Sequence, residues 1–184
     1  YIIESLVIDA NTENNGVLIN NSNVFFVIKN CTFLNSLDLS LSGLHLRNTT
    51  NGKIINCSFY ENNIGIFLYN CSFINITNNR IFENENYALK INNSSFNLIE
   101  NNKIVNNFFG IQLIFSSNNN SIIQNSIHNN FFGLFIANSS NFNYIYKNLL
   151  TDNQVCIKED EKSCIGNIFI DNTCSYELPN FFHF

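Results

Sequence analysis

The chain has 184 residues and a formal net charge of −5, and only 12% of its residues are charged, about half the usual share. It has no cluster of Lys and Arg, which disfavours a nucleic-acid partner because phosphate binding needs clustered cations. No stretch is apolar for long enough to span a membrane. Asparagine takes the place of charge and accounts for 40 residues, more than one in five.

One apolar pattern recurs from the first residues to the last third of the chain. Its motif is an aliphatic residue, then Asn or Cys three positions later, then an apolar residue two positions after that. The first position of the motif is occupied by Ile3, Ile28, Ile54, Ile76, Ile99, Ile122, Ile145 and Phe169. Because apolar residues within each run are two positions apart, the runs are predicted to be strands rather than helices.

A second pattern follows in each repeat and starts at a glycine. Gly43, Gly65, Ala88, Gly110 and Gly133 are 22 or 23 residues apart, and apolar residues follow each of them at alternate positions. Six positions after the glycine column we expect a small side chain, at Ser22, Thr49, Cys71, Ser94, Ser116 and Ser139. The two patterns keep the same order in every repeat.

A repeat of this length cannot bury its own apolar face and has to stack on its neighbours. The sequence therefore predicts an all-β fold, a single-stranded right-handed parallel β-helix of about seven to eight coils with 22–23 residues each. Stacking in register predicts Ser/Thr ladders and an amide ladder through Asn79, Asn102, Asn125, Asn148 and Asn172. A leucine-rich repeat is excluded because no coil has a helical apolar spacing.

The pattern indicates one β-helix domain over residues 1–184. It decays near its end, where residues 155–184 are expected to form an irregular last coil and a cap, with the apolar residues 180–184 covering the end. The chain opens directly on a strand pattern without a visible cap, so we expect it to be a fragment of a longer protein.

Several runs resemble the parallel β-helix repeats of the NosD-like group, among them NNIGIFLYNCSFINITNNRIFEN, SSFNLIENNKIVNNFFGIQL and NNSIIQNSIHNNFFGLFI. That group belongs to a broader class of carbohydrate-binding proteins and sugar hydrolases. The resemblance covers essentially the whole chain and implies the fold more than the function, because the matching residues are those that build coils. It also implies an extracellular, cell-surface or periplasmic location.

Two pairs among the six cysteines are candidates for disulfide bonds. Cys31 and Cys57 are neighbours in one stacked column, and Cys156 and Cys164 bracket a charged segment. The alternative for the stacked cysteines is a small buried side chain. Disulfide bonds would imply an oxidising compartment. The chain contains no C-x-x-C motif, so no zinc site is predicted.

The residues that bind metals or perform sugar chemistry are sparse. Glu61 and Glu83 fall at equivalent turns of adjacent coils and are candidates for Ca²⁺ binding, although a column of solvated turns is the favoured explanation. The chain lacks Met and its histidines are dispersed, so neither a copper site nor another cofactor is predicted. The Asp cluster of the lyases and the Asp-Pro-His-Asp signature of the uronate epimerases are both missing, and no catalytic residue is assigned.

The strand after each glycine carries the best candidate binding residues. Its outward positions include His45, Arg47, Phe67, Tyr69, Lys90, Gln112 and Phe135. Aromatic rings beside His, Arg, Lys and Gln are typical of a face that binds sugars or another protein. The alternative is that a neighbouring domain of the same protein covers this face.

These patterns favour a non-catalytic surface or secreted module, a structural scaffold that binds a polysaccharide or another glycan. One alternative is a polysaccharide lyase or hydrolase whose active groups are His45, Arg47, Asp38 and Tyr69 or lie outside this chain. Another is a periplasmic copper-accessory protein of the NosD type, which rests on the resemblance alone.

Overall fold

The computed structural model describes residues 1–160 and 162–175, and these residues form a parallel β-solenoid. In order along the chain, its strands are β1 Ile2–Glu4, β2 Val7–Asp9, β3 Val17–Ser22, β4 Phe26–Lys29, β5 Thr32–Leu34, β6 Ser42–Ile55, β7 Ser58–Tyr60, β8 Ile64–Tyr69, β9 Ser72–Thr77, β10 Arg80–Phe82, β11 Tyr87–Asn92, β12 Leu98–Glu100, β13 Lys103–Val105, β14 Phe109–Ile114, β15 Ser121–Ile123, β16 Ser126–His128, β17 Phe132–Ile136, β18 Tyr144–Tyr146, β19 Leu149–Thr151, β20 Val155–Glu159, β21 Ile168–Ile170 and β22 Thr173–Ser175. Across these ranges no helix is long and apolar enough to cross a membrane.

The strands form three parallel sheets, and each coil contributes one strand to each sheet in the same order. Sheet 1 contains β1, β4, the second half of β6, β9, β12, β15, β18 and β21. Sheet 2 contains β2, β5, β7, β10, β13, β16, β19 and β22. Sheet 3 contains β3, the first half of β6, β8, β11, β14, β17 and β20. The strands of successive coils pair in register, which confirms the predicted repeat.

The core lies between the three sheets and consists of the predicted apolar columns. Ile54, Ile76 and Ile99 pair in register in sheet 1, and all three side chains are fully buried. Phe33 and Phe59 stack face to face in sheet 2, with ring centroids 4.7 Å apart. Each coil buries its inner face only against its neighbours, which is the property of a solenoid.

The predicted amide ladder is confirmed. The backbone N–H and the side-chain Nδ2 of Asn79 both donate to Oδ1 of Asn102, at 2.9 and 3.0 Å. Asn102 donates in the same way to Asn125, and the ladder continues through Asn148 to Asn172. Two further amide ladders run parallel to it, through Asn62, Asn84, Asn107, Asn130 and Asn153 and through Asn97, Asn120, Asn143 and Asn167.

The Ser/Thr ladder lies one residue later than predicted in its later coils. Oγ of Ser94 accepts a hydrogen bond from the backbone N–H of Cys71. The N–H of Ser94 donates to Oγ of Ser117, and the N–H of Ser117 donates to Oγ of Ser140. The predicted Ser116 is exposed and has a φ of 60°, and Ser139 has the same placement. The earlier coil turns this corner with one left-handed residue, whereas these coils use two, and spacing alone does not distinguish the two corners.

The cysteines differ from both predicted disulfide pairs. Cys156 is bonded to Cys174, with the Cα atoms 6.0 Å apart, and Cys31, Cys57 and Cys164 are free and buried. Cys31 and Cys57 make a ladder contact instead, in which the N–H of Cys31 donates to Sγ of Cys57 at 3.4 Å. Side chains in one stacked column point in the same direction, which does not suit the near-perpendicular dihedral that a disulfide prefers.

The last described coil continues all three sheets. Lys158 and Glu159 extend β20 in sheet 3, and β21 and β22 continue sheets 1 and 2. Cys164 lies in the apolar core and does not close the charged segment, which explains why Cys156 bonds to Cys174 instead. The predicted cap at residues 180–184 lies outside the described residues.

Candidate functional site

Three columns of side chains run along the outer face of sheet 3, with two inward residues between the left and middle columns and one between the middle and right columns. The left column consists of Ser42 and Ile64, which are buried, and of Tyr87, Phe109, Phe132 and Val155, which are partly exposed. The middle column consists of His45, Phe67, Lys90, Gln112, Phe135 and Lys158. The right column consists of Arg47, Tyr69, Asn92 and Ile114. All seven predicted binding residues therefore lie on this face, in the middle and right columns.

The early coils form a shallow depression of about 250 Å³ on this face, lined by His45, Arg47, Phe67, Tyr69 and Asn92. The rings of His45 and Phe67 are 4.7 Å apart, and Tyr69 meets Phe67 edge to face at 6.2 Å. The guanidinium carbon of Arg47 lies 5.8 Å from the centre of the Tyr69 ring. The depression thus combines apolar rings with hydrogen-bond donors at its rim.

Lys90 sits beside the depression over two rings. Its Nζ is 4.5 Å from the centre of the Tyr87 ring and 5.4 Å from that of Phe67. Burial lowers the pKa of Lys90 from its ordinary value. Burial, assisted by the nearby charge of Arg47, also lowers the pKa of His45, so the neutral form of His45 is favoured near neutral pH.

An aromatic cluster that the sequence did not identify continues the face into the later coils. Tyr87, Phe109 and Phe132 stack at 5.0 and 4.9 Å in the left column, and Phe108 stacks on Phe131 at 4.7 Å along its edge. The signal was present in the sequence as the repeated NNFFG at residues 106–110 and 129–133. These rings precede the glycine, whereas the sequence pattern predicts a binding face only from the positions after it.

The prediction that Gln112 is exposed is wrong, because its side chain is only 6% exposed. The neighbouring Phe109 and Phe135 approach each other edge to face at 5.6 Å, and these bulky rings flank the shorter glutamine. Its Oε1 and the Nε2 of His45 are buried without a hydrogen-bond partner. The later coils therefore present aromatic rather than amide surface.

The two predicted calcium ligands lie at a corner away from this face. Glu61 and Glu83 both have a φ of 53° and stack one coil apart, with the N–H of Glu61 donating to the carbonyl of Glu83 at 3.2 Å. They line a depression of about 280 Å³ together with Asn35, Leu37, Asn62 and Glu85. Within residues 1–160 and 162–175, no group of three or more His, Cys, Asp or Glu could hold a metal ion. Calcium binding here stays a prediction.

The four residues that were candidates for catalysis in a polysaccharide-degrading enzyme do not all lie at one site. His45, Arg47 and Tyr69 line the depression, but Asp38 lies in the exposed loop before β6 and is not among its lining residues. His128 lies in sheet 2, where its ring nitrogens contact the hydroxyls of Ser126 and Thr151. The two described histidines therefore belong to different sheets.

The comparisons with known proteins agree with this architecture. A family model described as a right-handed beta helix region matches residues 2–155, whereas no curated protein matches significantly. A mutant of the periplasmic alginate epimerase AlgG has a TM-score of 0.72 and 15% identity, covering 92% of this chain and 46% of that one. DFA-IIIase from Arthrobacter chlorophenolicus A6 in complex with GF2 has a TM-score of 0.74 and 15% identity, covering 95% and 44%. The chain thus spans less than half of either neighbour, and the likeness concerns the fold.

Proposed function

Since the chain belongs to the family of right-handed β-helix regions, we propose that it is a non-catalytic module that uses the outer face of sheet 3 to bind polysaccharide. Its rigid stack of coils is the scaffold, and the depression around Phe67 and Tyr69 is the centre of the binding face. The observation that carries the proposal is the combination, on one open face, of aromatic rings with the donors of Arg47, Lys90 and Asn92.

The rings differ in how much of their surface they offer to a sugar. Tyr87, Phe109 and Phe132 cover each other's faces by stacking, so their edges remain. Phe67 lies between the ring of His45 and the Nζ of Lys90 and offers mainly its edge, whereas the neighbouring Tyr69 is 39% exposed. An apolar ring surface beside hydrogen-bond donors suits a sugar, which has apolar C–H faces and polar hydroxyls. We therefore assign sugar contacts to Phe67 and Tyr69.

The non-catalytic reading is supported by the chemistry of the face. Glycoside hydrolysis ordinarily needs two carboxyl groups flanking the bond, and the three columns contain no Asp or Glu. The second candidate is an enzyme acting on polysaccharide, because solved structures with this fold include an alginate epimerase and DFA-IIIase. In that case, its acid and base would come from residues beyond the three columns.

The location that fits the chain is extracellular, at the cell surface or in the periplasm. The disulfide between Cys156 and Cys174 supports an oxidising compartment, because such bonds are rare in the reducing cytosol. One of the structural neighbours is a periplasmic protein. A neighbouring domain of the same protein is a further partner that an aromatic face of this kind would accept.

The proposal is tested by screening the purified chain on a glycan array and measuring affinities for the polysaccharides that bind. The double variant Phe67→Ala and Tyr69→Ala should weaken binding at least about fivefold, since buried aromatic contacts at binding sites contribute more than about 1 kcal/mol. Phe73→Ala and Phe96→Ala are the matched control, because these rings also stack and are also exposed, but lie at a corner of the solenoid.

Unchanged binding in the Phe67 and Tyr69 variant contradicts the proposed face. A release assay on the same polysaccharides separates the two candidates. Product formation that persists in purified protein and disappears in a heat-denatured sample favours the enzyme, whereas binding without product favours the module.

A further inference from the structure

The charged side chains in the three columns of the outer face of sheet 3 are Arg47, Lys90 and Lys158, although the chain has 14 acidic and 9 basic residues. Asp160 follows β20 two residues after Lys158, and its carboxylate accepts hydrogen bonds from Oγ of Ser163 and from the N–H of Lys162. Glu159 at the end of β20 pairs with the inward Ile136, and its carboxylate accepts a hydrogen bond from Nδ2 of Asn167 at 2.5 Å. Three of the nine Lys and Arg side chains thus lie on the face that carries the rings.

These cations lie against rings and are not neutralised by carboxylates. Lys158 is 6.0 Å from the centre of the Phe132 ring, and Arg47 and Lys90 lie over Tyr69 and Tyr87. The ion pair recorded within the described ranges joins Lys29 to Glu4, in sheet 1. A ring holds a cation by its quadrupole and leaves the net charge in place. The charge therefore remains available to an anion.

The cations are spread along the axis of the solenoid. Arg47 lies in β6, Lys90 two coils later in β11, and Lys158 three coils after that in β20. With neighbouring strands about 4.8 Å apart, these steps are roughly 10 and 14 Å. A single sugar can reach one of these cations, whereas an extended polymer along the axis can reach all three.

We propose that the ligand of this face is an acidic polysaccharide, with carboxylate or sulfate groups, that lies along the solenoid axis across coils from β6 to β20. This inference rests on the proposed polysaccharide function and specifies its substrate class. The rings of Phe67 and Tyr69 contact the sugars, and Arg47, Lys90 and Lys158 contact successive anionic groups. Release of counterions from the polymer makes the affinity fall as salt rises.

The test compares dextran sulfate, dextran of the same length, polygalacturonate and polyglutamate by calorimetric titration at low salt. We expect an anionic polysaccharide to bind at least about tenfold more tightly than dextran and more tightly than polyglutamate, with affinity falling as NaCl is added. A preference between dextran sulfate and polygalacturonate identifies the anionic group as sulfate or carboxylate.

Two charge-removing variants locate the interaction. Lys90→Gln and Lys158→Gln should each weaken binding about threefold or more and reduce the dependence on salt. Lys53→Gln is the matched control, because Lys53 also lies over a ring, 5.7 Å from the centre of Phe25, but on sheet 1. It should leave the affinity unchanged, and an equal loss in all three variants overturns the assignment to sheet 3.

The outcomes separate this inference from the proposed function. Dextran that binds as tightly as the anionic polysaccharides overturns the acidic ligand and leaves polysaccharide binding intact. Polyglutamate that binds as tightly as dextran sulfate shows attraction by charge alone and overturns both. Failure of all four polymers to bind overturns the acidic ligand, and polysaccharide binding itself falls only if the glycan array is negative as well.

Discussion

Asparagine has two structural roles in this protein, one in the amide ladders and one at the corners, and adjacent asparagines take one role each. Asn102 points inward and uses its side-chain amide in the ladder, where it is almost fully buried. Asn101 is exposed and uses its backbone, with a φ of 55° at the corner before β13. Asparagine tolerates this left-handed conformation better than most residues with a side chain. Both roles recur in the coils that carry the amide ladders, which explains the high asparagine content.

Replacement of an inward asparagine should be costly. Asn102→Leu removes the acceptor of Asn79 and the donor to Asn125 and to the carbonyl of Ile76, at 2.9–3.0 Å each. We expect a loss of about 2–4 kcal/mol in the free energy of unfolding, from unsatisfied buried amides and overpacking. Chemical denaturation measures it, with the half-buried Asn75→Leu in β9 as the control. An unchanged midpoint in Asn102→Leu contradicts the ladder.

The buried thiols predict the behaviour of the protein at alkaline pH. Burial raises the pKa of Cys57 and of Cys71 from 9.0 to about 11. A raised pKa in the folded state means that the contribution to stability is complete below pH 9 and is lost as pH rises towards 11. The free energy of unfolding should therefore fall between pH 9 and 11, and less steeply in Cys71→Ser. Equal slopes for the two proteins would contradict this role of Cys71.

At the scale of the strand, the glycine column marks the closest approach between neighbouring coils. A Cβ added at Gly110 would lie 2.5 Å from the carbonyl oxygen of Gly133 and 2.9 Å from Cγ2 of Ile127. Ala88 fills the equivalent position in its own coil and is fully buried. The glycine column therefore accepts a methyl group at Ala88 and has no room for one at Gly110. The difference lies in how closely the backbone of the next coil approaches.

We expect Gly110→Ala to lower the free energy of unfolding by about 1–3 kcal/mol, because the carbonyl of the next coil has to move. The reverse exchange at the equivalent place, Ala88→Gly, should cost only about 0.5–1 kcal/mol. Thermal unfolding of both variants measures the difference. A Gly110→Ala protein as stable as the parent means that the coils can separate at this column.

The strand register was predictable because spacing defines it, whereas the corners and the crosslink were not. The motif around Ile76 and Asn79 aligned sheets 1 and 2 correctly, since a shift of one residue would expose the apolar side. Ser116 was misplaced because a corner with one or two left-handed residues leaves the same strand pattern. The partner of Cys156 depends on how the last coil closes, which the repeat does not specify.

The sequence predicted the polar residues of the candidate face, but it predicted fewer aromatic residues there than the structure shows. His45 and Phe67 were placed by alternation along the strand, and the structure brings them together in one column. The predicted exposure of Gln112 was wrong because alternation along a strand gives the direction of a side chain but not the size of the side chains around it. The rings of Phe109 and Phe132 precede the glycine, where the backbone departs from simple alternation between the inner and outer faces.

At the scale of the molecule, the disulfide ties sheet 3 to sheet 2 across the last described coil. Cys156 lies in β20 and Cys174 in β22, 18 residues apart, and a closed loop of this size stabilises by about 3 kcal/mol. The four other cysteines are buried thiols. The crosslink therefore secures the coil that has no described neighbour beyond it.

Thiol titration tests this assignment directly. The native protein should react slowly, the unfolded protein should expose four thiols, and the unfolded and reduced protein should expose six. Peptide mapping without reduction should recover Cys156 joined to Cys174. A peptide in which Cys156 is joined to Cys164 would contradict the structure of the last coil.

The uniform ladders have a consequence for how such a chain can evolve. Asn79, Asn102 and Asn125 hold the same position, and each accepts from the coil before and donates to the coil after. Loss of residues 103–125 would join Asn102 directly to Ser126, and every amide would again meet an amide. Gain or loss of one whole coil thus keeps every ladder, whereas a change of another length is accommodated only where a corner absorbs it, as in the longer coil between Val17 and Leu44. The length of the outer face of sheet 3 therefore changes in steps of one coil.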